Sequence, residues 1–228
     1  MKILPLAAAT TALVPLSMAA IFLYAPTERT QGDIQRVFYL HLPLAWIAYL
    51  AFLIVFICSV LYLWKGLERW DALAQAAAEV GVVFTTLVLI TGSIWAKPIW
   101  GTWWSWDARL TTTLVLWFIY VGYLMLRSYV VEERRAARYA AVLGIVGFLD
   151  VPLIHQSVTW WRTLHPEPVV LAPGGPAMPP SMLQTLSLSM IAFTLLFCWL
   201  LEQRFRLERL RRQVGELRER RAERTGAF

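Results

Sequence analysis

Trp100-Gly101-Thr102-Trp103-Trp104-Ser105-Trp106-Asp107 gathers four of the chain's twelve tryptophans into one short block. A buried indole needs a partner for its N–H, so four of them in a polar-flanked segment fill a core badly and present an aromatic surface well. Trp100, Trp103, Trp104 and Trp106 read as a platform for a large flat ligand, with Asp107 closing the block. The competing reading is an aromatic belt at a membrane surface, but belts are spread over many segment ends and this block is concentrated in one. The chain also holds three histidines, His41, His155 and His165, and a neutral imidazole is a standard axial ligand for iron in a planar macrocycle. Arginine suits carboxylates because its planar fork pairs with them through two hydrogen bonds. Arg36, Arg109 and Arg162, with Lys97 behind them, are the candidates for an acidic edge of such a ligand, and Trp161 stands beside Arg162.

The elements that must position these side chains follow from composition. With 58% apolar residues, 16% charged residues and a mean hydropathy of +0.55, the chain falls in the membrane class. Six stretches are apolar over the about 20 residues that a spanning helix needs: Ile3 to Tyr24, Leu42 to Trp64, Glu79 to Ala96, Leu110 to Leu126, Tyr139 to Ser157, and Met182 to Leu201. The expected fold is an all-α integral membrane bundle of six helices. Lys and Arg accumulate in cytoplasmic loops. With the N-terminus inside, sixteen of the twenty-one basic residues face the cytoplasm, and Arg29, Arg36, Lys97, Arg109 and Arg162 face the other way. Both termini are therefore expected in the cytoplasm. Residues 1–202 form a transmembrane domain with outer loops 25–41, 97–109 and 158–181, and residues 203–228 form a basic helical tail. The net charge of +6 is a topology signal and not a nucleic-acid footprint.

This topology puts His41 and His165 at loop junctions on the outer face and His155 one or two turns inside the fifth span. Two histidines flanking the indoles could clamp haem from both faces, with the basic side chains on its propionates. A lone histidine at a helix end is more often an interfacial hydrogen-bonding residue than a ligand; the coincidence of two with the Trp block is what favours ligation.

Other features bound the function. The first span reads as a retained helix and not a signal peptide, because its apolar run continues past Ser17, Ala19 and Ala20 through Leu23. Cys58 and Cys198 lie within spans and read as apolar fillers. The chain has no C-x-x-C, C-x-x-C-H, Gly-rich phosphate loop or H-E-x-x-H, which argues against a thiol redox centre and nucleotide hydrolysis. Leu207, Leu210, Val214 and Leu217 give the tail a heptad-like stripe too short for a coiled coil, so it is expected as a solvated helix touching a partner or anionic headgroups. Asp150, two residues before Pro152, is a costly group inside a span. A proton- or haem-pathway role competes with a plainer one, in which it satisfies a local donor or a neighbouring helix; the plainer is preferred.

Tyr39-Leu40-His41-Leu42-Pro43, Gly92-Ser93-Ile94-Trp95-Ala96-Lys97-Pro98-Ile99-Trp100 running through the Trp block into Asp107-Ala108-Arg109-Leu110-Thr111, and Trp160-Trp161-Arg162-Thr163-Leu164-His165-Pro166 resemble the haem exporter protein C (CcmC) family of cytochrome c maturation. That family is a branch of the Trp-rich WWD haem-handling superfamily, and the resemblance covers all six spans in order. It implies non-covalent binding of haem b at the outer, periplasmic face of the cell inner membrane, with His41 and His165 as axial ligands beside the Trp block. It further implies transfer of that haem to the chaperone CcmE, in company with the CcmA/CcmB ABC transporter and the small protein CcmD. Such a role is binding and handover, not catalysis, and gives His155 a packing or hydrogen-bonding part. Two other classes compete. A haem-translocating subunit of an ABC-type exporter needs polar residues along several helices, whereas spans two and six are almost wholly apolar. A quinone- or lipid-modifying membrane enzyme needs acid–base groups, and only Asp107 with the histidines offers them.

Overall fold

In a bilayer every backbone polar group has to be satisfied within the protein, and helices achieve this segment by segment. The computed structural model describes residues 3–161, 163–165 and 178–225. They form α1 (Ile3–Ala19), continued by a π-helical turn (Ala20–Tyr24), then a 3₁₀ turn (Asp33–Val37), α2 (Phe38–Lys65), α3 (Glu68–Trp100), α4 (Ala108–Tyr129), α5 (Glu133–Phe148), α6 (Asp150–Trp160) and α7 (Pro180–Thr225). Among the described residues six helical segments are long and apolar enough to cross a membrane: Leu4–Tyr24, Asp33–Lys65, Glu68–Trp100, Ala108–Tyr129, Glu133–Trp160 and Pro180–Arg218. The six-span, all-α architecture is the one the sequence predicts.

Most of these helices outrun the apolar stretches that announce them. α3 starts at Glu68, eleven residues before Glu79, because Ala72, Ala74, Ala76, Ala77 and Ala78 are strong helix formers and pack inside the bundle. The fifth span is two helices meeting at Leu149, whose N–H bonds back to Val146 O at 3.1 Å. Pro152 has no N–H to continue the α5 ladder, so the chain restarts at Asp150. That residue is buried, and its Oδ2 has no hydrogen-bond partner among the described residues. The expectation that Asp150 answers a nearby donor fails at this oxygen. Of the packing or hydrogen-bonding part expected of His155, packing within the bundle is not found: the residue lies on the exposed side of α6. Cys58 is buried as a filler should be, whereas Cys198 is exposed on α7.

The centre of the bundle is the α2–α3 pair. Small residues let helices approach closely where lipid gives no hydrophobic drive for their association. A Cβ on Gly81 would lie 2.8 Å from Phe52 Cε1, and one on Gly144 would lie 3.0 Å from Val55 Cγ1, so α3 and α5 both press on α2. Phe52 stacks on Tyr120 of α4 with ring centroids 3.8 Å apart, and the Tyr120 hydroxyl donates to Gly144 O at 3.0 Å.

At the end remote from the Trp block, ion pairs bind the helices together. Asp71 of α3 takes Arg127 of α4 in a two-bond fork at 2.6 and 2.9 Å and Arg212 of α7 at 2.7 Å. Arg212 also pairs with Glu208 at 3.1 Å, and Arg204 pairs with Glu79. The first turns of the tail are therefore tied to α3 and are not free in solvent as expected. Its stripe of Leu207, Leu210, Val214 and Leu217 remains exposed. Asp71 is almost fully buried between two arginines, and removing one partner of a buried charge group typically costs about 3–5 kcal/mol. Asp71→Asn is expected to lose stability of that order, measured as the thermal unfolding midpoint of the detergent-solubilised protein.

Candidate functional site

The Trp block is a helix stop, a loop and a helix start. Gly101 adopts φ 75°, a left-handed conformation that closes α3 with its N–H on Lys97 O at 3.0 Å; glycine takes this conformation without steric cost. Asp107 starts α4 as its N-cap. Its Oδ1 accepts the Leu110 N–H at 3.0 Å and its Oδ2 accepts the Ser105 hydroxyl at 3.1 Å. Between these punctuation marks Thr102 Oγ1 donates to Trp104 O at 2.9 Å. Trp103 and Trp106 are 58% and 75% exposed. Trp104 is half-buried, and its Nε1 has no hydrogen-bond partner among the described residues. The rings do not make one plane: Trp104 and Trp106 meet at 78° with centroids 5.6 Å apart, giving a corner with one face and one edge.

His165 lies beside the residues that flank this loop. Trp100 meets it edge-on at 6.2 Å, and Arg109 Nη1 lies 3.0 Å from its Nδ1. Arg109 sits in the first turn of α4, where the Asp107 cap positions it, and its Nε also reaches Ile154 O of α6 at 3.4 Å. A guanidinium only donates. In this contact His165 Nδ1 is the acceptor.

The His41 Nδ1 lies 2.9 Å from Thr91 Oγ1 of α3, which also lies 2.7 Å from Leu87 O. With the hydroxyl proton on Leu87 O, Thr91 accepts from Nδ1–H and the lone pair falls on Nε2, the arrangement that a metal ligand requires. Trp95 packs edge-on against the ring at 5.8 Å. Gly92 supplies its space, since a Cβ there would lie 3.1 Å from His41 Cε1. His165 and Arg109 are near enough to act electrostatically on His41, so α2, α4 and the 163–165 segment converge on one site.

The first loop is bolted to the same place. Trp95 Nε1 donates to Gln31 Oε1 at 3.0 Å. Gln31 and Thr30 give their backbone N–H groups to Glu28, and these bonds, the Gln31 one foremost, hold the Glu28 carboxyl below the usual carboxylate range. Arg36 is engaged within the loop, on the carbonyls of Ile21 and Ala25 and on Asp33 Oδ1. Lys97 bonds Gly101 O at 3.0 Å. Trp161 is exposed beside Trp160, and Arg162 lies outside the described residues. The structure therefore gathers His41, His165, Trp100 and Arg109, while Arg36 and Lys97 close their own segments. Thr91 and Gln31 belong to the site although sequence reasoning passed over them, as do Gly92 and Trp95, which it quoted for the resemblance but gave no role. A threonine among the apolar residues of α3 was the visible signal, but its partner is fifty residues away.

A family model described as "Heme exporter protein C" matches residues 1–220. The chain is 42% identical over 218 residues to the Heme exporter protein C of Bradyrhizobium diazoefficiens, covering 95% of this chain and 82% of the relative. It is 37% identical over 201 residues to the Heme exporter protein C of Escherichia coli K12, covering 86% and 81%. It is also 37% identical over 181 residues to a "Putative cytochrome c biosynthesis ccmC-like mitochondrial protein" of Marchantia polymorpha, covering 78% and 76%.

Loss of an N-cap side chain costs about 1 kcal/mol. Asp107→Ala is expected to destabilise the protein by that amount while Asp107→Asn largely preserves it, read from the unfolding midpoints of the two variants in one detergent.

Proposed function

Because the chain belongs to the haem exporter protein C family, we propose that it binds haem b non-covalently between His41 and His165 and delivers it to the haem chaperone CcmE for cytochrome c maturation. The observation that carries this reading is the position of His41, held by Thr91 and Trp95 and within electrostatic reach of His165 and Arg109. Two imidazoles are the donor set that a haem iron accepts along its axis. Trp103, Trp104 and Trp106 offer the macrocycle faces and edges, and the unpartnered Trp104 N–H is a donor suited to a polar group on it. Arg109 is the cation best placed for a propionate, with Lys97 at the rim.

The charge bias of the loops supports a site on the periplasmic side of the inner membrane with both termini in the cytoplasm. On this reading CcmE docks over the loops at the Trp end, near Glu28 to Arg36, while CcmA, CcmB and CcmD are the partners within the membrane. The function is binding and handover: any covalent bond to haem is made on the chaperone, and affinity has to stay moderate enough for release.

The test is the absorption spectrum of the detergent-purified protein loaded with haem. The parent is expected to be six-coordinate and low-spin, and His41→Ala and His165→Ala are each expected to turn it high-spin or to lose the haem. Unchanged low-spin spectra in both variants would move the ligands elsewhere, and a parent that takes up no haem would favour a transporter subunit or a membrane enzyme.

A further inference from the structure

The helix α7 runs without a break from Pro180 to Thr225. About 20 residues take it across a hydrocarbon core, so its remainder leaves the membrane at the end remote from the Trp block, the end that holds the Asp71 clamp. There Leu207, Leu210, Val214 and Leu217 are between 44% and 64% exposed. We propose that this stripe is the docking seam for a helix of another protein, one that carries apolar residues at heptad spacing and carboxylates beside them. The inference does not depend on the haem-binding reading.

Steps of three, four and three residues make the stripe a heptad seam, with Leu207 and Val214 at position a and Leu210 and Leu217 at position d. The other side of the helix is already taken. Glu208 and Arg212, at positions b and f, lie against α3, where Arg212 meets Asp71 at 2.7 Å and the Glu68 carbonyl at 3.4 Å. α3 thus braces the back of the helix and leaves the seam facing outward. A lipid surface is a poor occupant, because an amphipathic helix that binds one lies in the membrane plane. α7 instead continues its span, held along α3 by Arg204 on Glu79 and Arg212 on Asp71. At 1.5 Å per residue it carries the seam about 9 to 24 Å past the hydrocarbon core.

Charge decides between a second copy and a different partner. Residues at e and g flank a heptad seam and set which helices pair. Here they are Arg206, Arg211, Gln213, Arg218 and Arg220, while the carboxylates of the stretch, Glu208, Glu216 and Glu219, fall at b, c and f. Two copies of this tail would set arginine against arginine in either orientation, since e meets g in a parallel pair and e meets e in an antiparallel one. Like charges set against each other across an interface are strongly disfavoured. A helix with Glu or Asp at its own e and g positions satisfies the same arginines. Arg206 is paired with Glu202 at 2.6 Å, but both are partly exposed and such an i,i+4 pair is weak; Arg211 and Arg218 are exposed. A seam of two heptads is too short to order two free chains. α7 is already ordered by its span and its ties to α3, so only the partner helix has to fold on it.

The experiment titrates a fluorescent three-heptad peptide, with Leu at a and d and Glu at e and g, against the full-length protein in a neutral detergent, with empty micelles as the blank. A matched peptide carries Lys at e and g. The Glu peptide is expected to bind saturably and roughly tenfold more tightly than the Lys peptide. Leu210→Asp combined with Val214→Asp should abolish its binding. Arg211→Glu combined with Arg218→Glu should reverse the preference between the peptides, a result that a misfolded tail would not give. Equal binding of the two peptides by the parent, or no binding of the Glu peptide, would overturn the proposal. So would a dimer of the parent, seen by light scattering, that Leu210→Asp dissociates, since the occupant would then be a second copy. Protection of the tail from trypsin in nanodiscs of phosphatidylglycerol but not of phosphatidylcholine would give the stripe to the lipid surface and overturn it as well.

Discussion

The close approach of α2 and α3 is the constraint on which the rest of this protein depends. Lipid supplies no hydrophobic force to pull helices together, so association rests on packing between small residues. At Gly81 and Gly92 the space a side chain would fill is taken by Phe52 and His41 of the facing helix. This approach brings Thr91 Oγ1 to 2.9 Å from His41 Nδ1. Hydrogen bonds fail beyond about 3.5 Å, so a separation under an ångström greater would break this contact. The packing of apolar helices therefore decides what a histidine ring nitrogen meets.

The two ends of the bundle use arginine in opposite ways. At the remote end Asp71 holds Arg127 and Arg212, and Glu79 holds Arg204. Ionised partners of fixed charge, partly shielded from water, make a clamp that fixes α3, α4 and α7 together. At the Trp end Arg109 faces an imidazole and a backbone carbonyl. Asp107 joins the two designs, because the cap that starts α4 also sets where Arg109 lies.

Much of this was legible in the chain. Six apolar stretches became six membrane-length helices, since a period of about 20 apolar residues has few other uses. The Trp block emerged as a loop between spans because Gly101 and Asp107 are strong stop and start signals that act over three or four residues. Extent was less legible. Hydropathy marks the lipid-facing middle of a helix, so the alanine-rich start of α3 and the charged continuation of α7 went unseen or were taken for solvated surface. Arg36 illustrates the same limit for the site: its type suited a carboxylate, but its place in the fold commits it to the carbonyls of Ile21 and Ala25.

The sequence by itself determined the fold class, the order of the spans and the inventory of imidazoles, indoles and arginines, because hydrophobicity and helix punctuation are read locally. Only the tertiary structure decided which of those groups face one another. Thr91 with His41, Arg109 with His165 and Trp95 with Gln31 are contacts across fifty or more residues. They exist because helices distant in sequence are pressed together in lipid, and no local pattern specifies which faces will meet.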